Sequence, residues 1–250
     1  MKIKRFSAIL LVLIYAFACI PVSGYDATNA TNTSYDEMLG TLVALDIIGE
    51  DEVIDFTPDT NVTRAQMVVM AMRLLRVNTV GLSEEFDRFY DVSPEHEAYN
   101  EILMAYELGI ISGVDNERFD PQGTVSYEQA VKILVATLGY EQAAQQKGGY
   151  PEGYLAVAMR ADLLDGVTVE NKAALTHKSV VQMVYNALET DMFDATYYLS
   201  GGDYVEQIQE GTTLLEERLE IKTDRGVVTQ NNITGVASAS TVSDEQVMIN

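Results

Sequence analysis

At 250 residues, 47% of them apolar, the chain is long enough for one or two domains with a buried core, which excludes global disorder. Its 16 Lys and Arg face 38 Asp and Glu, a net charge of −22, and so acidic a surface repels nucleic-acid phosphates; no nucleic-acid partner is expected. A single cysteine, Cys19, two histidines, His96 and His177, and no Trp leave no intramolecular disulfide, little material for a zinc site or a His-based triad, and no Trp platform for a sugar.

The chain opens on an export signal. Met1-Lys2-Ile3-Lys4-Arg5 is a basic start, and the apolar stretch from Phe6 to Ile20 is shorter than the roughly 20 residues of a bilayer span. Pro21 breaks the stretch and Val22-Ser23-Gly24 offers small residues, which places cleavage after Gly24; Ala16-Phe17-Ala18 before Cys19 is the alternative. Residues 1–24 are therefore expected to be a signal peptide, leaving no transmembrane span after cleavage. Losing Lys2, Lys4 and Arg5 with no acid takes the charge from −22 to −25. Residues 25–34 read as a polar spacer.

The body is internally periodic. Phe56, Pro58, Val62, Thr63 and Gln66 recur as Phe119, Pro121, Val125, Ser126 and Gln129 at an offset of 63. Leu175-Thr176-His177-Lys178-Ser179 is a weaker third copy, and from Thr63, Ser126 and Thr176 the chain runs 12 positions to Leu75, Leu138 and Leu188. Upstream, three apolar-periodic segments end in Ile47-Ile48-Gly49, Ile110-Ile111-Ser112-Gly113 and Leu163-Leu164-Asp165-Gly166. Each unit reads as helix, loop, helix. Thr63-x-x-Gln66 and Ser126-x-x-Gln129 fit a capping box, in which side chain and backbone satisfy each other's donors at a helix start; Thr176-x-x-Ser179 does not. Met67, Met70, Ala71 and Leu74, like Ala130, Ile133, Leu134 and Leu138, form helical stripes that belong in a core. Units this small are expected to pack their stripes together. The expected fold is mainly α: three tandem helix-loop-helix repeats (35–78, 86–140 and 148–190) packed around a shared bundle. A linker (191–212) and the start of a β-rich segment (213–250) follow, the latter read from Val227-Val228-Thr229 before Asn231-Asn232 and from Gln246–Ile249.

This arrangement resembles the S-layer homology (SLH) domain, three tandem copies of which attach bacterial envelope proteins to the cell wall. The middle copy carries Phe89-Tyr90-Asp91-Val92, His96-Glu97-Ala98-Tyr99, Leu108-Gly109-Ile110-Ile111-Ser112-Gly113 and Phe119-Asp120-Pro121; Glu97 stands where the family usually has Trp. The first copy has Val62-Thr63-Arg64-Ala65-Gln66, close to the Thr-Arg-Ala-Glu signature. The third, with Gly148-Gly149-Tyr150-Pro151-Glu152-Gly153-Tyr154 and Val184-Tyr185-Asn186-Ala187-Leu188, is similar to third copies of clostridial wall proteins. The resemblance covers roughly residues 35–190 and implies binding of an anionic, often pyruvylated, secondary cell-wall polysaccharide in grooves between copies, by a secreted protein of the wall or S-layer.

Physical chemistry points to the same positions. A helix start presents unpaired N–H groups and the positive end of its dipole, which suit a carboxylate or phosphate. Arg64 adds a planar fork for a carboxylate; its loss is expected to weaken binding and spare the fold. Tyr127 offers a ring and one hydrogen bond, Lys178 a point charge and His177 a partial one. The candidate ligand-binding residues are thus Thr63, Arg64, Gln66, Ser126, Tyr127, Thr176, His177 and Lys178. Asp115-Asn116-Glu117 and Asp120 lack the order of a calcium loop, and His96 beside Asp91 and Glu95 is better read as a cap or packing residue than as an acid-base group. No cofactor, metal or catalytic residue is expected. The function expected is noncatalytic anchoring, with the alternative that these residues anchor a larger envelope enzyme whose catalytic domain lies beyond residue 250.

Overall fold

The computed structural model describes residues 33–77, 88–169, 172–192, 198–200, 203–205, 212–221, 228–230 and 248–249. The signal peptide, nearly all of the spacer and most of the 191–212 linker lie outside the described residues.

Helices α1 (Tyr35–Ala44), α2 (Arg64–Leu75), α3 (Tyr99–Glu107), α4 (Tyr127–Thr137), α5 (Glu141–Gln146), α6 (Glu152–Arg160), α7 (His177–Glu189) and α8 (Leu214–Glu217) dominate, with a short 3-10 turn at Val53–Asp55. The capping chemistry sets their starts. Gln66 N–H donates to Thr63 Oγ1 at 3.1 Å while Thr63 N–H donates to Gln66 Oε1 at 2.9 Å; Ser126 and Gln129 repeat the exchange at 3.3 and 3.0 Å. Thr176 caps α7 one-sidedly, through Ser179 N–H at 3.4 Å, because the Ser179 side chain donates instead to the Thr168 carbonyl at 2.6 Å. Ser34, assigned to the spacer from sequence, is the cap of α1 and forms a full box with Glu37.

The first helix of each pair ends in a left-handed residue: Asp46 (φ 55°), Gly109 (φ 73°) and Asp162 (φ 55°). This turn drives the apolar residues that follow into the core, where Ile47, Ile48, Ile110, Ile111 and Leu163 are buried. The helical stripes are core as well, since Met67, Met70, Ala71, Leu74, Ala130, Ile133, Leu134, Leu138 and Val181 are all buried. Each fully buried side chain of Val, Leu, Ile or Met size contributes about 1.5–3 kcal/mol. Helix α2 packs on α3 and α4, α4 on α6, and α7 on α1.

The segments just before the three capped helices interlock. Val62 N–H donates to the Leu175 carbonyl at 2.9 Å, Leu175 N–H to the Val125 carbonyl at 3.0 Å, and Val125 N–H to the Val62 carbonyl at 2.9 Å. Three backbone hydrogen bonds thus close a ring, with all three side chains buried.

Two features depart from the sequence reading. Helix α5, which no repeat pattern marks, fills the interval between α4 and α6 with Ala143 and Ala144 buried; Gly153 of α6 passes so close that a Cβ there would meet the Ala144 carbonyl oxygen at 2.1 Å. The helical unit also runs past the linker boundary. Asp191 pairs with Thr213, Met192 N–H donates to the Thr212 carbonyl at 2.7 Å, and Leu214 and Leu215 of α8 are buried, with α8 packed against α7. The chain divides into two compact units at Leu219/Glu220. Within the first unit β1 (Tyr198–Ser200) pairs antiparallel with β2 (Asp203–Val205). Within the second, β3 (Val228–Gln230) pairs with β4 (Met248–Ile249); these two short strands are the regular β structure among the described residues of 220–250.

Candidate functional site at the helix starts

The interlocked segments gather Thr63, Ser126 and Thr176 around one ring, with bridges linking Thr63 to Thr124 and Asn61 to Thr176. Here the structure corrects the expectation of open helix termini. The first N–H of each capped helix is already bound by a neighbouring loop: Arg64 N–H by the Gly123 carbonyl (2.9 Å), Tyr127 N–H by Lys172 (2.9 Å) and His177 N–H by Thr60 (2.8 Å). Ala65 and Lys178 donate to Pro121 and Pro58, each at 3.0 Å, and the next N–H belongs to the cap. At α2 and α7 the backbone donors that an anion would need are thus consumed by the fold, and recognition there falls to side chains.

Arg64 also departs from its expected role. It is 6% exposed; Nε donates to the Phe119 carbonyl at 2.8 Å, Nη2 to the Ser112 carbonyl at 3.3 Å, and the guanidinium lies 4.5 Å from the Phe119 ring centroid. Burial lowers its pKa from the ordinary value, opposed by Asp120, Asp91 and Tyr150. It acts as a structural cation that ties α2 to the loop of the next unit. Asp91, to which the sequence assigns no structural role, fastens that loop from the other side by accepting from Phe119 N–H (2.9 Å) and Asp120 N–H (2.7 Å). That role explains the Phe-x-Asp-Val spacing: Phe89, two residues earlier, is buried 5.7 Å from the Phe119 ring.

His177 is buried against Phe56, with ring centroids 4.5 Å apart, so it offers no surface charge. Lys178, the next residue, is exposed. Tyr127 is half-buried, its pKa raised by burial and then by Glu128, and the exposed Lys172 carries its ammonium 5.9 Å from the Tyr127 ring centroid. Lys172 was not among the sequence candidates, since nothing local marks it.

Gln66, besides capping α2, lines a groove between α2, α3 and the loop around Asp55. Glu52, Asp55, Glu97 and Glu101 also line it, against Arg73, which forms a two-pronged pair with Glu52 at 2.7 Å for each bond. That groove is net negative and disfavours an anion. Asp115 spends its carboxylate on the N–H groups of Glu117 and Arg118 and on Arg118 Nε at 2.7 Å, and His96 Nδ1 accepts from Ala98 N–H at 3.1 Å just before α3. Among the described residues no group of three or more His, Cys, Asp or Glu is placed to hold a metal, and no helix is long and apolar enough to cross a membrane.

Comparison with known proteins gives these elements a class. Residues 88–131, spanning the Asp91 clamp, α3 and the start of α4, match the S-layer homology domain. A cell surface protein of Thermoanaerobacter kivui is 28% identical over 198 residues, 76% of this chain and 25% of that protein. The middle cell wall protein of Brevibacillus brevis is 27% identical over 161 residues, 64% of this chain and 15% of its own length. An endoglucanase of Bacillus sp. (strain KSM-635) is 25% identical over 155 residues, 56% of this chain and 16% of that enzyme. The chain spans a quarter or less of the length of these relatives. The domain and the relatives indicate a secreted, cell-wall-associated protein.

Proposed function

We propose that residues 35–190 form three SLH-like units that hold an exported protein to the cell wall by binding an anionic, pyruvylated secondary polysaccharide between units, without catalysis. The observation that carries this reading is the SLH match at residues 88–131 within a body whose three capped helices exchange the same contacts with neighbouring loops. With the first N–H of each capped helix occupied and Arg64 buried, the exposed cations described at these helix starts are Lys178 on α7 and Lys172 beside Tyr127. A planar ring with an exposed ammonium 5.9 Å from its centroid suits a sugar bearing an acid group.

The test is sedimentation of purified protein with isolated wall sacculi, intact or stripped of secondary polymer. Binding to intact walls only is expected. Lys178→Ala, at an exposed site, is expected to fold normally and to lose about tenfold in affinity, the worth of one charge-assisted hydrogen bond. Equal binding to stripped sacculi would remove the polysaccharide as ligand; unchanged binding by Lys178→Ala would remove the α7 start as its site. A second reading, in which these units anchor an enzyme, is favoured by the endoglucanase relative, of which the matched region is 16%. A catalytic domain encoded downstream in the same reading frame would support it.

A further inference from the structure

The buried histidine joins two parts of the fold. His177, the first residue of α7, is 3% exposed. Its Nδ1 lies 3.0 Å from the Thr60 carbonyl oxygen and 2.8 Å from Thr60 Oγ1, and its ring leans on Phe56. A carbonyl can only accept, so Nδ1 carries the proton and Nε2 is a bare acceptor. The Thr60 hydroxyl, which donates to the Thr57 carbonyl at 3.0 Å, is free to accept from Nδ1–H. Nε2 is buried with no hydrogen-bond partner among the described residues. The neutral ring fits this setting. An imidazolium would bring a second N–H with no acceptor and a charge held away from water.

We propose that His177 is an acid-sensitive latch between the 56–60 loop and the start of α7, closed by the neutral imidazole and opened by its protonation. The Thr60 and Thr57 backbone and then the charge of Asp55, all from the loop, favour the proton, but burial outweighs them. Asp59 in the loop and Lys178 on α7 are exposed, and Tyr35, whose hydroxyl donates to the Phe56 carbonyl at 2.7 Å, has its pKa pushed up to about 12 and is neutral throughout the relevant range. Burial thus lowers the His177 pKa from the ordinary 6.5. With the folded pKa below the unfolded one, the latch contributes fully above pH 6.5 and loses its contribution as pH falls from there toward the folded value. Opening reaches past the joint itself, because the same loop supplies Asp55 and Phe56 to the acidic groove beside α2.

The experiment is an NMR titration of the two imidazole rings in the full chain, assigned with His96→Gln, together with amide exchange at His177 and Lys178 corrected for intrinsic rates. His177 is expected to be the Nδ1–H tautomer and to stay neutral below pH 6.5. The opening constant at the two amides should rise by up to about tenfold per pH unit through the window, the limit for one proton. His177→Asn keeps a donor near Nδ1 and has nothing to titrate, so its opening constants should stay flat. A ring that titrates at the ordinary value, or an equal acid response in His177→Asn, would overturn the latch. If His177→Asn does not fold, the wild-type ring titration decides alone.

Discussion

Replacing Arg64 with Ala tests whether this residue belongs to the fold or to the surface. In the structure its side chain supplies two hydrogen bonds, to Phe119 and Ser112, and covers the Phe119 ring. Hydrogen bonds from a charged donor are worth about 1.5–3 kcal/mol each, and a cation over a ring about 0.5–2 kcal/mol. Water can reach the exposed Ser112 carbonyl in the mutant but not the buried Phe119 side, so part of the loss is recovered. A net destabilisation of about 2–4 kcal/mol follows, equivalent to a fall in melting temperature of roughly 5–15 °C for a unit of this size. Thermal unfolding followed by circular dichroism is the assay, with Arg64→Lys as a control. Lysine keeps a charge but cannot present two donors in one plane, so it should fall between wild type and Ala. A melting temperature within about 2 °C of wild type for Arg64→Ala would show that the side chain is a solvated cation and that the packing argument is wrong.

Asp91→Ala removes the acceptor of two backbone N–H groups at the head of the 119–120 turn, and urea unfolding should reveal a loss of about 2–4 kcal/mol, with Asp91→Asn intermediate because one amide oxygen replaces two; a neutral Asp91→Ala would mean that the loop is held otherwise. The net charge predicts that wall binding strengthens as salt rises from very low to moderate, where the screening length shortens to about 10 Å, before high salt weakens the lysine contacts; sedimentation that weakens monotonically from the lowest salt would show local cations dominating throughout. Leu175→Ala should cost about 2–5 kcal/mol, and because the buried side chain it truncates holds in place a backbone that bonds to both Val62 and Val125, amide exchange should quicken at Met67 and Ala130 in α2 and α4. Loss of protection confined to α7 would indicate a chain of independent units.

What the sequence made legible was whatever is encoded locally. Thr63 with Gln66, and Ser126 with Gln129, could be read as caps because a box closes within three residues, and the Met67 and Ile133 stripes could be read as core because helical periodicity is local. The SLH match at residues 88–131 lies in the segment whose motifs were densest. The burial of Arg64 is not legible in the sequence for the opposite reason. Its partners Phe119 and Ser112 stand 55 and 48 residues away, and an Arg at a helix start carries no sign of which carbonyls will come to meet it. His177 likewise gains its meaning from Thr60, 117 residues distant. Ser34 was the avoidable miss, since Ser34-x-x-Glu37 is a complete capping box in plain view.

The same exchange of contacts that builds the fold decides what is left over for recognition. In a stacked solenoid each unit bonds to its predecessor and successor, and the end units need special caps. Here the segment before α7 bonds back to the loop before α2, through Val62 to Leu175 and His177 to Thr60, so the first N–H of each of the three capped helices is met by a loop. Closure satisfies polar backbone that would otherwise cost about 1–3 kcal/mol per buried group, and it removes those same groups from any ligand. The residue at the first helical position then becomes the point where the units differ: Arg64 under a Phe ring, Tyr127 beside Lys172, and His177 locked to Thr60. One backbone scheme therefore yields three chemically distinct corners. Of these, the Tyr127 corner, with Lys172 exposed, and the α7 start, with Lys178 exposed beside the buried ring, keep a cation on the surface, whereas the cation of the first is buried, bound by carbonyls and close to Asp91 and Asp120.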